Sequence, residues 1–170
     1  IRRPPRSTLD RSSAASDVYK RQGVPYDLIS KSLPTIEGAV NDILAQIVDF
    51  NIIFNMDGKQ IDTHIVYDDD RVWPLELSSG MERFVSSLAI RVGLMNVSNL
   101  PRSNFLAIDE GWGTMDSENL NSVAQLFQYL KTQFQFSFVV SHIESMRDFV
   151  DTLLEIKKVS GSSSVRFSRD

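Results

Sequence analysis

The chain has 170 residues, 42% of them apolar and 24% charged, the proportions of one ordinary globular domain. It contains no cysteine, which excludes disulfides and thiolate metal sites and fits a reducing compartment; nor does it contain an apolar run of about 18 residues, the length a membrane-spanning helix needs. The formal net charge is -4, but of 18 basic and 22 acidic residues six and two fall in the first 22 positions, so 12 and 20 remain beyond them. A body that acidic argues against a broad nucleic-acid-binding face, and any DNA contact must be local or supplied by other parts.

Residues 1–22 show no apolar periodicity and are rich in Arg, Ser and Pro. A targeting peptide shares that composition, and so does a disordered basic tail. The strings Arg2-Arg3-Pro4-Pro5-Arg6-Ser7-Thr8-Leu9 and Ser12-Ser13-Ala14-Ala15-Ser16-Asp17-Val18-Tyr19-Lys20-Arg21-Gln22 also resemble translated sequencing-adapter sequence, and that is the preferred reading. The segment is set aside, and the domain is expected over residues 23–170.

Leu33, Ile36, Val40, Ile43, Leu44 and Ile47 recur at helical spacing, with Pro34 suited to a first helical turn. Ile52, Ile53 and Phe54 read as a strand. Asp57-Gly58 is a hairpin turn, and Ile61, Thr63, Ile65 and Tyr67 alternate on the return strand. Asp68-Asp69-Asp70 reads as a solvated turn rather than a metal site. His64, on the alternating strand with no partner motif, reads as structural.

Ser79 followed by Glu82 is a capping box, so a helix should start there, with Met81, Phe84, Val85, Leu88, Val92 and Met95 as its buried face. Phe105 to Ile108 reads as a buried central strand. A second helix should span Leu120 to Phe134, with Val123, Leu126, Phe127 and Leu130 as its stripe. Ser137 to Ser141 reads as another buried strand, Ser145 to Val150 as a short helix and Leu153 to Ile156 as a strand. Val159 to Phe167 is either a hairpin centred on Gly161 or a fraying end. Strands alternating with helices predict an α/β fold, a layered, mostly parallel sheet with flanking helices.

Four elements carry chemistry. The apolar run Phe105-Leu106-Ala107-Ile108 ends in Asp109-Glu110. Neighbours on a strand point to opposite sides, so one acid can hold a hydrated magnesium ion while the other faces an attacking water. Ser79 and Gly80 open a helix, whose free N–H groups and dipole attract an anion. His142 ends an apolar strand one layer away, where an imidazole can hydrogen-bond a terminal phosphate. Gly113 and Asp116 form a polar turn after Glu110; an Asp there can contact a partner or orient water, or simply cap the next helix.

Together these residues resemble the C-terminal lobe of a P-loop, ABC-type ATPase head of the SMC and SbcC-like DNA-repair class. Ser79-Gly80-Met81-Glu82 is similar to that family's Ser-Gly-Gly-Glu signature core, with Met81 in place of the second Gly. A register using Ser78-Ser79-Gly80 leaves one extra residue before Leu88-Ala89-Ile90-Arg91. The resemblance implies that Phe105 to Glu110 is the Walker B strand, with Asp109 the magnesium-side acid and Glu110 the catalytic base. It makes Gly113 to Asp116 the D-loop and His142 the switch histidine. Gly111 stands where many members carry Pro.

The resemblance covers residues 23–158. No Gly-x-x-x-x-Gly-Lys-Ser/Thr loop and no sustained heptad array occurs; in the family both lie N-terminal to this region. The chain therefore reads as part of a longer protein. Its implied partners are a Walker A lobe of the same protein, a second head in a homodimer, DNA and a nuclease subunit, with ATP and magnesium as cofactors. Ser78, Ser79 and Gly80 would serve the partner head's nucleotide in trans. The implied location is the cytoplasm or nucleoid, or the nucleus in a eukaryote. An SbcC-like repair ATPase is the leading reading. An SMC-type DNA-tethering protein is second, a transporter ATPase is disfavoured, and this chain alone is expected to be inactive.

Overall fold

A computed structural model of the chain describes residues 24–57, 60–112 and 120–169. The first segment, residues 1–22, lies outside these, as do Gly58 and the D-loop positions Gly113 and Asp116.

Helix α1 spans Val24–Leu44, beginning well before the apolar stripe does. Residues 27–32, Leu28 and Ile29 included, are exposed, while Val40, Ile43 and Leu44 are buried. Pro34 is thus inside the helix and not in its first turn. It is exposed, so the helix loses one hydrogen bond on a side that water can reach. Strands β1 (Asn51–Asp57), β2 (Gln60–Asp68) and β3 (Arg71–Pro74) form an antiparallel sheet in that order. Ile52 and Ile65, directly opposite each other, are both fully buried. On the outer edge of β1, the Asn41 side chain of α1 accepts from the Ile52 N–H at 2.8 Å and donates to the Ile52 carbonyl at 2.9 Å. Glu37 accepts from the Phe54 N–H at 2.8 Å. Two helix side chains therefore bond where a further strand would. The acidic turn is tied down by Arg71, which pairs with Asp68 at 2.7 Å and lies over the Tyr67 ring; the guanidinium holds the Asp68 carboxyl below its ordinary range.

Helix α2 spans Gly80–Val97 and begins at the expected capping box. It packs on α1, and a Cβ at Gly93 would meet Val40 Cγ2 at 2.7 Å, so glycine lets the two helices approach closely. Strand β4 (Phe105–Asp109), helix α3 (Leu120–Gln133) and strand β5 (Phe136–Val140) follow. β4 and β5 pair in parallel with a helix in the crossover, the βαβ arrangement that a parallel connection requires. Val123, Leu126, Phe127 and Leu130 are all buried, as their spacing predicts. A 3-10 turn over Glu144–Phe149 leads to strands β6 (Thr152–Val159) and β7 (Ser162–Arg169), an antiparallel hairpin turning at Ser160 and Gly161.

The parallel pair with flanking helices is present, and the other pairings are antiparallel. β4 and β5 are not buried on both faces. Leu106, Ile108, Ser137 and Val139 turn inward, but Phe105, Phe136, Phe138 and Val140 are 49%, 57%, 40% and 40% exposed. The strands carry the apolar content of a two-sided buried sheet, while the described residues cover only one side of it.

Candidate functional site

β4 delivers two carboxylates to its carboxyl end. Asp109 is the last strand residue and is exposed. The Glu110 N–H still donates to the Val140 carbonyl at 3.0 Å, so the ladder continues one residue further. The chain then turns sharply: Glu110 has φ 59° and Gly111 φ 101°. Glu110 is therefore not an extended strand residue but sits in a left-handed conformation, which costs a non-glycine residue roughly 1–3 kcal/mol. The chain after the turn drives Trp112 into the core, where it is 1% exposed.

Opposite this turn, β5 delivers His142. Its Nδ1 lies 3.5 Å from Glu110 Oε1, with the side chains 74% and 65% exposed. A polar contact that open contributes little to stability, so the fold does not depend on it. Glu110, Gly111, Trp112, Ser141, His142 and Ile143 line a small depression of about 60 Å3.

The second part of the site is the start of α2. Ser79 is its N-cap: Ser79 Oγ accepts from the Glu82 N–H at 3.3 Å, and the Ser79 N–H donates to Glu82 Oε2 at 2.7 Å. The hydroxyl hydrogen of Ser79 is not used by either bond. The N–H groups of Gly80 and Met81, first in the helix, have no intrahelical acceptor. Ser78 is placed differently. It is only 9% exposed, and its hydroxyl donates to the Leu75 carbonyl at 2.7 Å. Of the two registers weighed for the signature loop, the one built on Ser79 puts a serine at the surface. Ser79 borders a cleft of about 420 Å3, also lined by Phe50, Tyr67, Glu82, Ser122 and Gln125.

The structure thus brings Glu110, His142 and Asp109 to one sheet edge and leaves Ser79 and Gly80 at a different opening. Gly113 and Asp116 fall outside the described residues. Sequence reasoning missed Tyr67, whose hydroxyl donates to Glu82 Oε1 and so braces the capping box from β2. Burial first, then this bond and the charge of Glu82, push the Tyr67 hydroxyl well above its ordinary pKa. The two residues are 15 positions apart, and no local pattern joins them. His64 Nδ1 lies 3.3 Å from Asn55 Nδ2, and its ring lines neither opening. Among the described residues no helix is long and apolar enough to cross a membrane.

No family model matches the chain. It is 34% identical over 183 residues to the uncharacterized protein R555 of Acanthamoeba polyphaga mimivirus, a match covering 94% of the chain and 14% of that protein. Leaving 6% of the chain unmatched, it must enter the first 22 positions, which lends no support to treating all of them as adapter sequence. The SbcC component of the nuclease SbcCD of Staphylococcus aureus is 32% identical over 96 residues, 54% of the chain and 10% of that protein. The chain therefore spans only about a seventh and a tenth of these relatives. A solved structure from work on ATP-driven dimerization and DNA-stimulated activation of SMC ATPases superposes with a TM-score of 0.68 at 16% identity, covering 84% of this chain and 88% of that one. The fold resembles that of SMC ATPase head domains, and over about half its length the sequence is similar to an SbcC protein.

Proposed function

We propose that this chain is the C-terminal lobe of an ATP-hydrolysing head of the SbcC-like type, acting on DNA with a nuclease partner. The observation that carries the reading is the meeting of Glu110 and His142 at 3.5 Å beside Asp109, at the carboxyl end of parallel strands. That edge is where open α/β sheets bind their ligands.

The residues present suit magnesium and a triphosphate. Magnesium takes one or two carboxylates plus phosphate oxygens and keeps several waters. Asp109 offers one exposed carboxylate, and no group of three or more acidic, His or Cys ligands stands among the described residues. When bound, magnesium neutralises charge on the phosphates. Glu110 accepts the proton of the attacking water, and a ring N–H of His142 donates to a terminal phosphate oxygen. Ser79 donates its free hydroxyl hydrogen, and the Gly80 and Met81 N–H groups add to it, toward a phosphate held by a second head. Two openings on one chain suit that division between a nucleotide held in cis and one met in trans. The apolar outer face of β4 and β5 suits a covering layer, the Walker A lobe of the same protein.

This chain alone is expected to turn over ATP at background, because the loop that holds the β- and γ-phosphates is not in it. Tight ATP binding with turnover abolished by Glu110→Gln would overturn that. In the complete protein Ser79→Arg is the sharper test. Each head should still bind ATP, but ATP-dependent dimerisation should weaken more than about tenfold, or ~1.4 kcal/mol, since a bulky cation fills the place of the partner's phosphate. Light scattering with ATP reads this; normal dimers in the variant would remove Ser79 from the interface.

The second reading is an SMC-type protein that tethers DNA without a nuclease. The likeness to an SMC head supports it at the level of fold. A Cys-x-x-Cys zinc hook at the apex of the parent's coiled coil would favour repair, and a globular hinge would favour tethering.

A further inference from the structure

Helix α2 reaches the Glu110 turn through one side chain. A Cβ built on Gly111 would lie 2.5 Å from Phe84 Cε2 and 2.8 Å from Phe84 Cδ2. The edge of the Phe84 ring therefore fills the space that any side chain at position 111 would need. The same ring packs on Trp112, centroids 4.7 Å apart, and Trp112 stacks on Phe127 of α3 at 5.3 Å. On its other side the turn is tied to β5 by the bond from the Glu110 N–H to the Val140 carbonyl. Phe84 itself is only half-buried, five positions after Ser79 on the same helix.

We propose that Phe84 is a positioning residue for Glu110, seating the left-handed Glu110–Gly111 turn against the helix that begins at Ser79. The inference rests on the reading of Glu110 as the base. Glu110 is held in a conformation it does not prefer, and such a conformation persists only when its surroundings over-determine it. The strand bond fixes one end. The Phe84 ring blocks the space into which Gly111 would otherwise relax. Removing the ring frees the turn and lets the carboxylate wander from the water it must deprotonate, while leaving the phosphate-binding groups in place. The same contact links the two openings: a shift of the first turns of α2 when a phosphate seats at Ser79 moves the wall behind Glu110.

The test compares Phe84→Ala, Phe84→Leu and Glu110→Gln in the complete ATPase. Phe84→Ala should lower kcat about 10- to 100-fold, the cost of a misplaced catalytic group, with KM for ATP unmoved. Phe84→Leu, which refills much of the space, should recover most of the loss. In the present chain, hydrogen exchange provides a second readout. Phe84→Ala should speed exchange of the Glu110 amide while leaving the Ile52 amide, held by Asn41 in the core, at its wild-type rate. If both amides quicken together, or kcat per folded protein stays at the wild-type value, Phe84 is packing alone and the proposal is overturned. If Glu110→Gln abolishes turnover but Phe84→Ala does not reduce it, only this inference fails. Wild-type turnover by Glu110→Gln would instead bring down the reading of the site, and the proposal with it.

Discussion

Glu110→Gln in the complete head is expected to lower ATP turnover by about 100- to 10,000-fold, the usual contribution of a general base, and to leave ATP binding intact. Glutamine has nearly the shape of glutamate and can occupy the same left-handed turn. Its N–H can still donate to the Val140 carbonyl, so the sheet edge is undisturbed. What it lacks is a carboxylate to take the water's proton. Asp109 is untouched, and magnesium binding should persist with it. Single-turnover hydrolysis and nucleotide binding measured on the same preparation separate the two effects. On the proposed reading, in which closure needs bound nucleotide and opening needs its hydrolysis, ATP should then trap the dimer. Unchanged turnover would assign the proton transfer elsewhere.

Trp112→Ala should have the largest effect on stability. The indole is 1% exposed and packs between the rings of Phe84 and Phe127. Truncating a buried aromatic to alanine costs about 3–5 kcal/mol, a large share of the 5–15 kcal/mol that holds a typical domain folded. For a domain of this size the melting temperature should fall by roughly 10 °C. Trp112→Phe should cost much less. It keeps a ring in the stack and removes an indole N–H that finds no acceptor among the described residues. Equal losses for the two variants in thermal melts would show that the stacking contributes little.

The start of α2 was readable because Ser79 and Glu82 form a local code, three residues apart, for a bond pattern the structure contains. The stripe of α3 was readable for the same reason of short-range period. The early part of α1 was not: residues 27–32 are exposed, so no stripe marks them. β3, four residues ending in Pro74 at a sheet edge, was missed as too short. An apolar strand such as β4 reads as buried on both faces, yet composition cannot say whether the covering layer lies in the same stretch of chain. At the site, Asp109 and Glu110 were visible as an abrupt end to an apolar run. The left-handed turn at Glu110 was not, since glutamate carries no mark of that conformation. Nor was the seat formed by Phe84 against Gly111, a contact across distant positions that only tertiary packing creates.

The clasp between Asn41 and β1 bears on how the molecule avoids sticking to copies of itself. A bare strand edge invites another chain to add on, the first step of domain swapping or fibril growth. Here Asn41 already holds the N–H and carbonyl of Ile52, and Glu37 holds the N–H of Phe54, so the first half of that edge is closed to an incoming strand. The side chains that do so belong to α1, which makes the protection conditional. Any change that lifts this helix off the sheet uncovers apolar side chains and an unpaired strand edge in the same event. Aggregation is then the expected fate of the loosened form.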